Sequence, residues 1–204
     1  GEPNDGLRAM FTMMNNARLG VGGQGIGVAE AAFQHSTEYA LNRKQGKSTI
    51  QNKHGTIIDH ADVRRMLISM RADIFASRSI ELENAKAIDM ANATGEPEWI
   101  NKAAFLTPIT KVFGTEIGIN ISNLGVQIHG GMGFIEETGA AQFSRDVRVT
   151  AIYEGTNGIQ AMDLVGRKMM DNGETAYAII NQIKEYIDNL SGVKKDLLEL
   201  LGLS

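Results

Sequence analysis

The stretch Ile152-Tyr153-Glu154-Gly155-Thr156-Asn157-Gly158-Ile159-Gln160 places one carboxylate between an aromatic residue and a glycine, just before a helical pattern begins. A carboxylate in that setting can sit in a partly dry cleft and take up a proton as a base. A second glycine-rich corner lies upstream, at Gln127-Ile128-His129-Gly130-Gly131-Met132-Gly133-Phe134. Small residues at both corners let a cofactor approach the backbone, and amide, hydroxyl and carboxylate groups supply orientation and proton transfer. Glycine clusters at helix corners are ordinarily only turns. The polar groups attached to these two set them apart.

Other motifs carry less. Gly20-Val21-Gly22-Gly23-Gln24-Gly25 spells GxGxxG, but helix-patterned sequence lies on both sides, where a dinucleotide fold needs a strand in front. Its glycines read as close backbone packing, or as room for a ligand beside the helix. Gly46-Lys47-Ser48-Thr49 mimics the end of a phosphate-binding loop, yet Leu41 stands where that loop's first glycine belongs. The esterase-like His129-Gly130-Gly131-Met132-Gly133 has no GxSxG nucleophile elbow to serve. His35, His54, His60 and His129 lack metal-ligand spacing, so no metal site is expected. The ten methionines fall at helical spacing and read as core. Met13-Met14 and Met169-Met170 matter only if an apolar acyl chain must be housed.

The elements that would position these corners are helical. Leu7, Met10, Met14, Ala17, Val21, Val28, Ala32 and Thr37 form one stripe, with Asn4 or Asp5 as cap, and predict a helix reaching Asn42. Arg43 to Ile58 reads as a polar loop. Asp59 is expected to cap a second helix, striped by Val63, Met66, Leu67, Met70, Ile74 and Ser77, that ends at Thr94-Gly95-Glu96-Pro97. A third starts near Glu98 and stops at Gly130-Gly131, with Pro108 read as tolerated near its start or kinking the first turn. Short helices are expected over Gly139 to Arg145 and from Gly155 to about Met170. Asp171-Asn172-Gly173 then makes a turn. A further helix carries Ala178, Ile179, Ile183, Ile187 and Leu190, and a last one spans Val193 to Leu201. No strand is expected. The fold class is all-α: an up-down four-helix bundle over residues 1–172, with extra C-terminal helices over 173–204.

Composition sets bounds on function. The net charge is -4 and the basic residues are scattered, which argues against a nucleic-acid or anionic-lipid partner. The absence of cysteine removes disulfides, thiolate metal sites and cysteine nucleophiles. No apolar run approaches the length of a membrane span.

Four segments, in order, resemble the C-terminal bundle domain of the acyl-CoA dehydrogenases: Tyr39-Ala40-Leu41-Asn42-Arg43-Lys44-Gln45-Gly46-Lys47, the corner at Gln127, Phe143-Ser144-Arg145-Asp146-Val147-Arg148, and the corner at Glu154. The match runs from about Leu7 to Lys168. The resemblance implies α,β-dehydrogenation of an acyl-CoA thioester, in which a carboxylate removes the α-proton and the β-hydrogen leaves as hydride to FAD. Such chemistry calls for a carboxylate of raised pKa and for hydrogen bonds to the thioester oxygen. Glu154 sits at the family's base position. Ala17, before Arg18, occupies the site where some branches carry the base instead, and the two assignments agree.

The resemblance further implies that Arg18 and Gly155 lie by the substrate. Arg43 and Gln45 would contact the pyrophosphate or adenosine of a neighbouring subunit's FAD, as would Gln127, Gly130 and Gly131 at another stretch of it. Thr156 and Asn157 would lie near the flavin of their own subunit. An electron-transfer flavoprotein or similar acceptor, and a homodimer or homotetramer, are implied as partners. The location implied is the bacterial cytoplasm, with the mitochondrial matrix as the alternative. Gln45-Gly46 lacks the aromatic many members place before the glycine, and Gly158 stands where many have glutamine. These departures are similar to the longer bacterial branch that includes enzymes acting on 3-methylthiopropanoyl-CoA. The family precedes this bundle with a helical and a β-domain, so the chain is expected to be an excised domain, inactive alone. A catalytically silent flavin-binding or assembly bundle of the same fold is the alternative.

Overall fold

The computed structural model describes residues 2–48, 50 and 54–189. Three long helices build the molecule: α1 (Gly6–Asn42), α2 (Ala61–Thr94) and α3 (Pro97–His129). Gly95, in the left-handed conformation at φ 71°, ends α2 and turns the chain into α3 within two residues. Pro97 opens α3, where its missing N–H costs nothing.

Because α2 returns antiparallel, α1 and α3 run side by side in the same direction. Gly22 of α1 faces Thr110, Gly25 faces Gly114, and Ser36 faces Gly125. A Cβ at Gly25 would lie 2.4 Å from the Gly114 carbonyl oxygen, and one at Gly114 would lie 2.5 Å from that of Gly22. The GxGxxG segment is thus a seam of close helix packing inside one continuous helix. Beyond it the core is apolar: Ala29, Ala32, Met66, Leu67, Met70, Ile74, Ile117, Ile121 and Ile128 cluster between the three helices. Met70, Ile74 and Ile121 are essentially inaccessible to solvent, and each contributes on the order of 1.5–3 kcal/mol of burial.

The remaining elements close the fourth side of the bundle: α4 (Gly131–Phe134), α5 (Ala140–Val147), α6 (Asn157–Asp163) and α7 (Glu174–Asn189). The helix after Gly155 runs through a π-helical turn at Leu164–Lys168. Asn172 and Gly173, both at positive φ, make the turn before α7, and Asp171 accepts hydrogen bonds from the Gly173 and Thr175 backbone N–H groups. Lys102 of α3 binds α7 through Gln182 at 3.0 Å and α2 through Glu83 at 2.6 Å.

Several expectations need correction. Residues 43–58 hold a small antiparallel hairpin, β1 (Lys44–Lys47) and β2 (His54–Thr56), where a plain loop was expected. Both strands are short and polar and β1 is wholly exposed, so no period-2 pattern exists to be read. Gly46 sits at φ 75° where the register shifts, a place for a bulge. Asp59 belongs to a buried 3-10 turn at Ile57–Asp59, and His60 is the residue before α2. Asp5 precedes α1 but makes no side-chain cap, because its carboxylate binds Arg8 at 2.6 Å. Pro108 lies about three turns into α3 and is buried, not at the helix start. Leu190 and the helix expected over Val193 to Leu201 lie outside the described residues.

Candidate active site

Glu154 occupies the left-handed region at φ 54°, followed by Gly155 at φ 86°. A side chain in that conformation costs on the order of 1 kcal/mol or more, so the surroundings must enforce it. They do so through the backbone. Arg18 donates from Nε to the Glu154 carbonyl at 3.3 Å, and Gln160 donates from Nε2 to the carbonyls of Glu154 and Gly155, both at 3.3 Å. Arg18 and Gln160 are both buried. Arg18 is itself fixed by Asn15 at 3.0 Å and lies 3.9 Å from the Asp163 carboxylate. Gly155 is required twice over, by its φ and because a Cβ would approach Gln160 Nε2 at 2.7 Å.

The Glu154 carboxylate itself makes no hydrogen bond or ion pair among the described residues, although Lys111 feels its charge. Nor do the backbone N–H groups of Glu154 and Gly155 find a carbonyl there. Tyr153, at the preceding position, donates its hydroxyl to Gln24 Oε1 on α1. The turn therefore offers one unengaged carboxylate and two unengaged backbone donors beside a firmly held main chain.

Thr156 and Asn157, expected near a flavin, have structural partners here. Thr156 caps α6 by accepting the Ile159 backbone N–H at 3.3 Å. Asn157 turns its amide to α3. Its Oδ1 accepts from Lys111 Nζ at 2.8 Å, and its Nδ2 donates to Thr115 Oγ1 at 3.1 Å and Glu116 Oε1 at 2.7 Å. Lys111 is fully buried. Burial, with Arg18 nearby, lowers its pKa to about 8, against the opposing pull of Glu116 and Glu154. Sequence reasoning passed over Lys111 and Gln160. The signal for Lys111 was its place on the stripe Thr107, Lys111, Gly114, Thr115, Gly118, Ser122 and Gly125, a row of small residues that meets α1.

The other expected residues gather at the far end of the bundle. Arg43 and Gln45 follow α1, and Gln127, Gly130 and Gly131 end α3, so the parallel pairing of those helices brings both sets to one end. Arg18 and Arg43 are separated by about 37 Å along α1 at the usual rise per residue. Arg43 is exposed and its guanidinium has no partner among the described residues, while Gln45 and Gln127 present exposed side chains. Gly130 needs its φ of 60°, whereas Gly131 has neither positive φ nor any atom within 4 Å of a built Cβ. Among the described residues nothing requires a glycine there, and they leave the surface open to a close approach. Beneath it His129 stacks between Tyr39 at 4.2 Å and His35 at 4.8 Å, donating from Nδ1 to the Gly125 carbonyl at 2.7 Å. Burial pushes its pKa below the ordinary imidazole value, so it is a neutral wall at pH 7.

Among the described residues no cluster of ligating side chains could hold a metal, and no helix is long and apolar enough to cross a membrane.

The family model of the acyl-CoA dehydrogenase C-terminal domain matches residues 4–170. A 3-methylmercaptopropionyl-CoA dehydrogenase from Ruegeria pomeroyi is 49% identical over 182 residues, covering 86% of this chain and 31% of that protein. Butyryl-CoA dehydrogenase from Megasphaera elsdenii superposes with a TM-score of 0.69 at 29% identity, covering 81% of this chain and 39% of that one. ACDH-11 from Caenorhabditis elegans, solved in complex with C11-CoA, shares the fold at a TM-score of 0.84 and 20% identity, over 98% of this chain and 32% of its own. The chain spans about a third of the length of the curated relatives it matches.

Proposed function

The chain belongs to the acyl-CoA dehydrogenase family, whose C-terminal domain it carries, and from that membership we propose that it forms the base-bearing domain of a flavin-dependent acyl-CoA dehydrogenase. The observation that carries the reading is the turn at Glu154: a carboxylate without a partner among the described residues, on a backbone pinned by Arg18 and Gln160.

In this reading Glu154 takes the α-proton of an acyl-CoA thioester as the α,β double bond forms. FAD, when bound, supplies the acceptor for the β-hydrogen and its electron pair. The unengaged N–H groups at Glu154 and Gly155 are suited to stabilise charge that develops on the thioester oxygen. Arg18 acts through the backbone it holds and sets where the carboxylate stands. An exposed arginine, two exposed amides and a glycine whose Cβ would meet nothing suit the anionic, extended adenosine diphosphate portion of a dinucleotide. Arg43, Gln45, Gln127, Gly130 and Gly131 would hold it. Their distance from Glu154 fits the expectation that they serve a neighbouring subunit's cofactor in a homodimer or homotetramer. An electron-transfer flavoprotein or similar acceptor would reoxidise the cofactor, and the chain alone would be inactive. Residues 1–172 are read as the bundle domain and 173–204 as an extension. Likeness to the Ruegeria protein supports a short thioether acyl group as the first substrate to try.

The test uses the full-length protein loaded with FAD and a panel of acyl-CoA thioesters, with bleaching of the flavin absorbance as readout. Glu154→Gln is expected to slow reduction by about 10²–10⁴-fold. Reduction at the wild-type rate would remove Glu154 as the base and favour a catalytically silent bundle.

A further inference from the structure

Lys111 presents a buried charge that the proposed reaction has not used. It lies in the middle of α3, fully buried, where an apolar side chain of similar length would avoid the cost of desolvating an ammonium. Of its three donors only one has a partner among the described residues, the Asn157 side-chain oxygen at 2.8 Å. That amide opens α6 three residues after Glu154 and continues to Thr115 and Glu116. The turn is thus gripped from two sides. Arg18 and Gln160 hold its carbonyls, while Lys111 and its neighbours on α3 hold its far end.

The charged groups near Lys111 are Arg18 from α1, Glu116 from α3 and Glu154 from the turn, with Asp163 of α6 beyond Arg18.

We propose that Lys111 is a positioning residue for the proposed base: anchored on Asn157 at 2.8 Å, its buried ammonium fixes the turn that presents Glu154. This rests on the reading of Glu154 as the base. Burial lowers the Lys111 pKa to about 8, which still leaves the ammonium mostly charged at pH 7.

The experiment uses the full-length, FAD-loaded protein. Lys111→Met removes the donor to Asn157 and keeps the length of the side chain. It is expected to lower the rate of flavin reduction about tenfold while KM and flavin content stay near wild type, a split that loss of stability alone would not produce. Asn157→Ala removes the contact from the other side and should lower the rate to a similar degree, and the double variant should lose no more than either single one. A wild-type rate in Lys111→Met overturns the proposal. Should Lys111→Met fail to fold, a wild-type rate in Asn157→Ala overturns it instead. If Glu154→Gln reduces flavin normally, the base reading itself has failed and this proposal falls with it. Normal behaviour of the Lys111 and Asn157 variants beside an inactive Glu154→Gln sinks the proposal alone.

Discussion

A left-handed glutamate and a buried lysine stand within a few residues' reach of each other, and each is unfavourable for folding taken alone. The Lys111 pKa falls from 10.5 to about 8, which corresponds to about 3 kcal/mol of differential cost for the charged form. The unfolded chain binds this proton more tightly than the folded one, so wild-type stability should rise with pH between about 8 and 10.5. Lys111→Met lacks that rise. At pH 7 it should be the more stable protein by about 1–2 kcal/mol, once the lost hydrogen bond to Asn157 is subtracted, and the order should reverse toward pH 10.5, where wild type has regained about 3 kcal/mol and keeps that hydrogen bond. Chemical denaturation at pH 7 and pH 10 measures both. A Met variant less stable than wild type at pH 7 would mean that the ammonium is better accommodated than its burial implies. At this scale the sequence revealed Glu154, whose neighbours announce a turn, and hid Lys111. A lysine amid helix reads as solvent-facing unless the small residues four positions before and after it are weighed as a contact row.

Among the elements, the seam between α1 and α3 should dominate stability. Gly25→Ala places a methyl group 2.4 Å from a backbone oxygen of α3, which no rotamer change can relieve. The helices must part, and a loss of about 2–3 kcal/mol or more is expected. Gly27, two residues on, is exposed in the same helix with nothing near its Cβ position. Gly27→Ala should therefore stabilise by about 0.5–1 kcal/mol through helix propensity alone. Thermal melts of the two variants separate packing glycines from incidental ones, and equal effects would contradict the seam. The long helices were legible because apolar stripes and the stops at Gly95 and Gly130 agree. The hairpin at 44–56 was not, since short polar strands leave no periodic trace. The π-helical turn was also hidden, because it alters the spacing of hydrogen bonds without a distinctive composition.

Over the whole molecule, the expected site residues fall into two groups, one beside the middle of α3 and the other where α1 and α3 end. The sequence singled out the candidate residues but not their separation. That follows only from the parallel pairing of α1 and α3, a long-range arrangement. If one subunit's Glu154 works with its neighbour's Arg43, full-length Glu154→Gln and Arg43→Ala proteins should complement each other. Co-refolded in equal amounts they should recover about a quarter of wild-type flavin reduction, since half of the dimers are mixed and each has one intact site. No recovery would place both groups in service of the same subunit's site.

The glycine seam has a consequence for how such a chain can change in length. One residue inserted in α1 between Gly25 and Ser36 would turn everything beyond it by about 100°. Tyr39 would leave His129, and Arg43 would swing away from the end of α3. A deletion would do the same in the opposite sense. The distance between the two ends is thereby frozen, and tolerance for insertions passes to the exposed hairpin, whose β1 lies clear of the core.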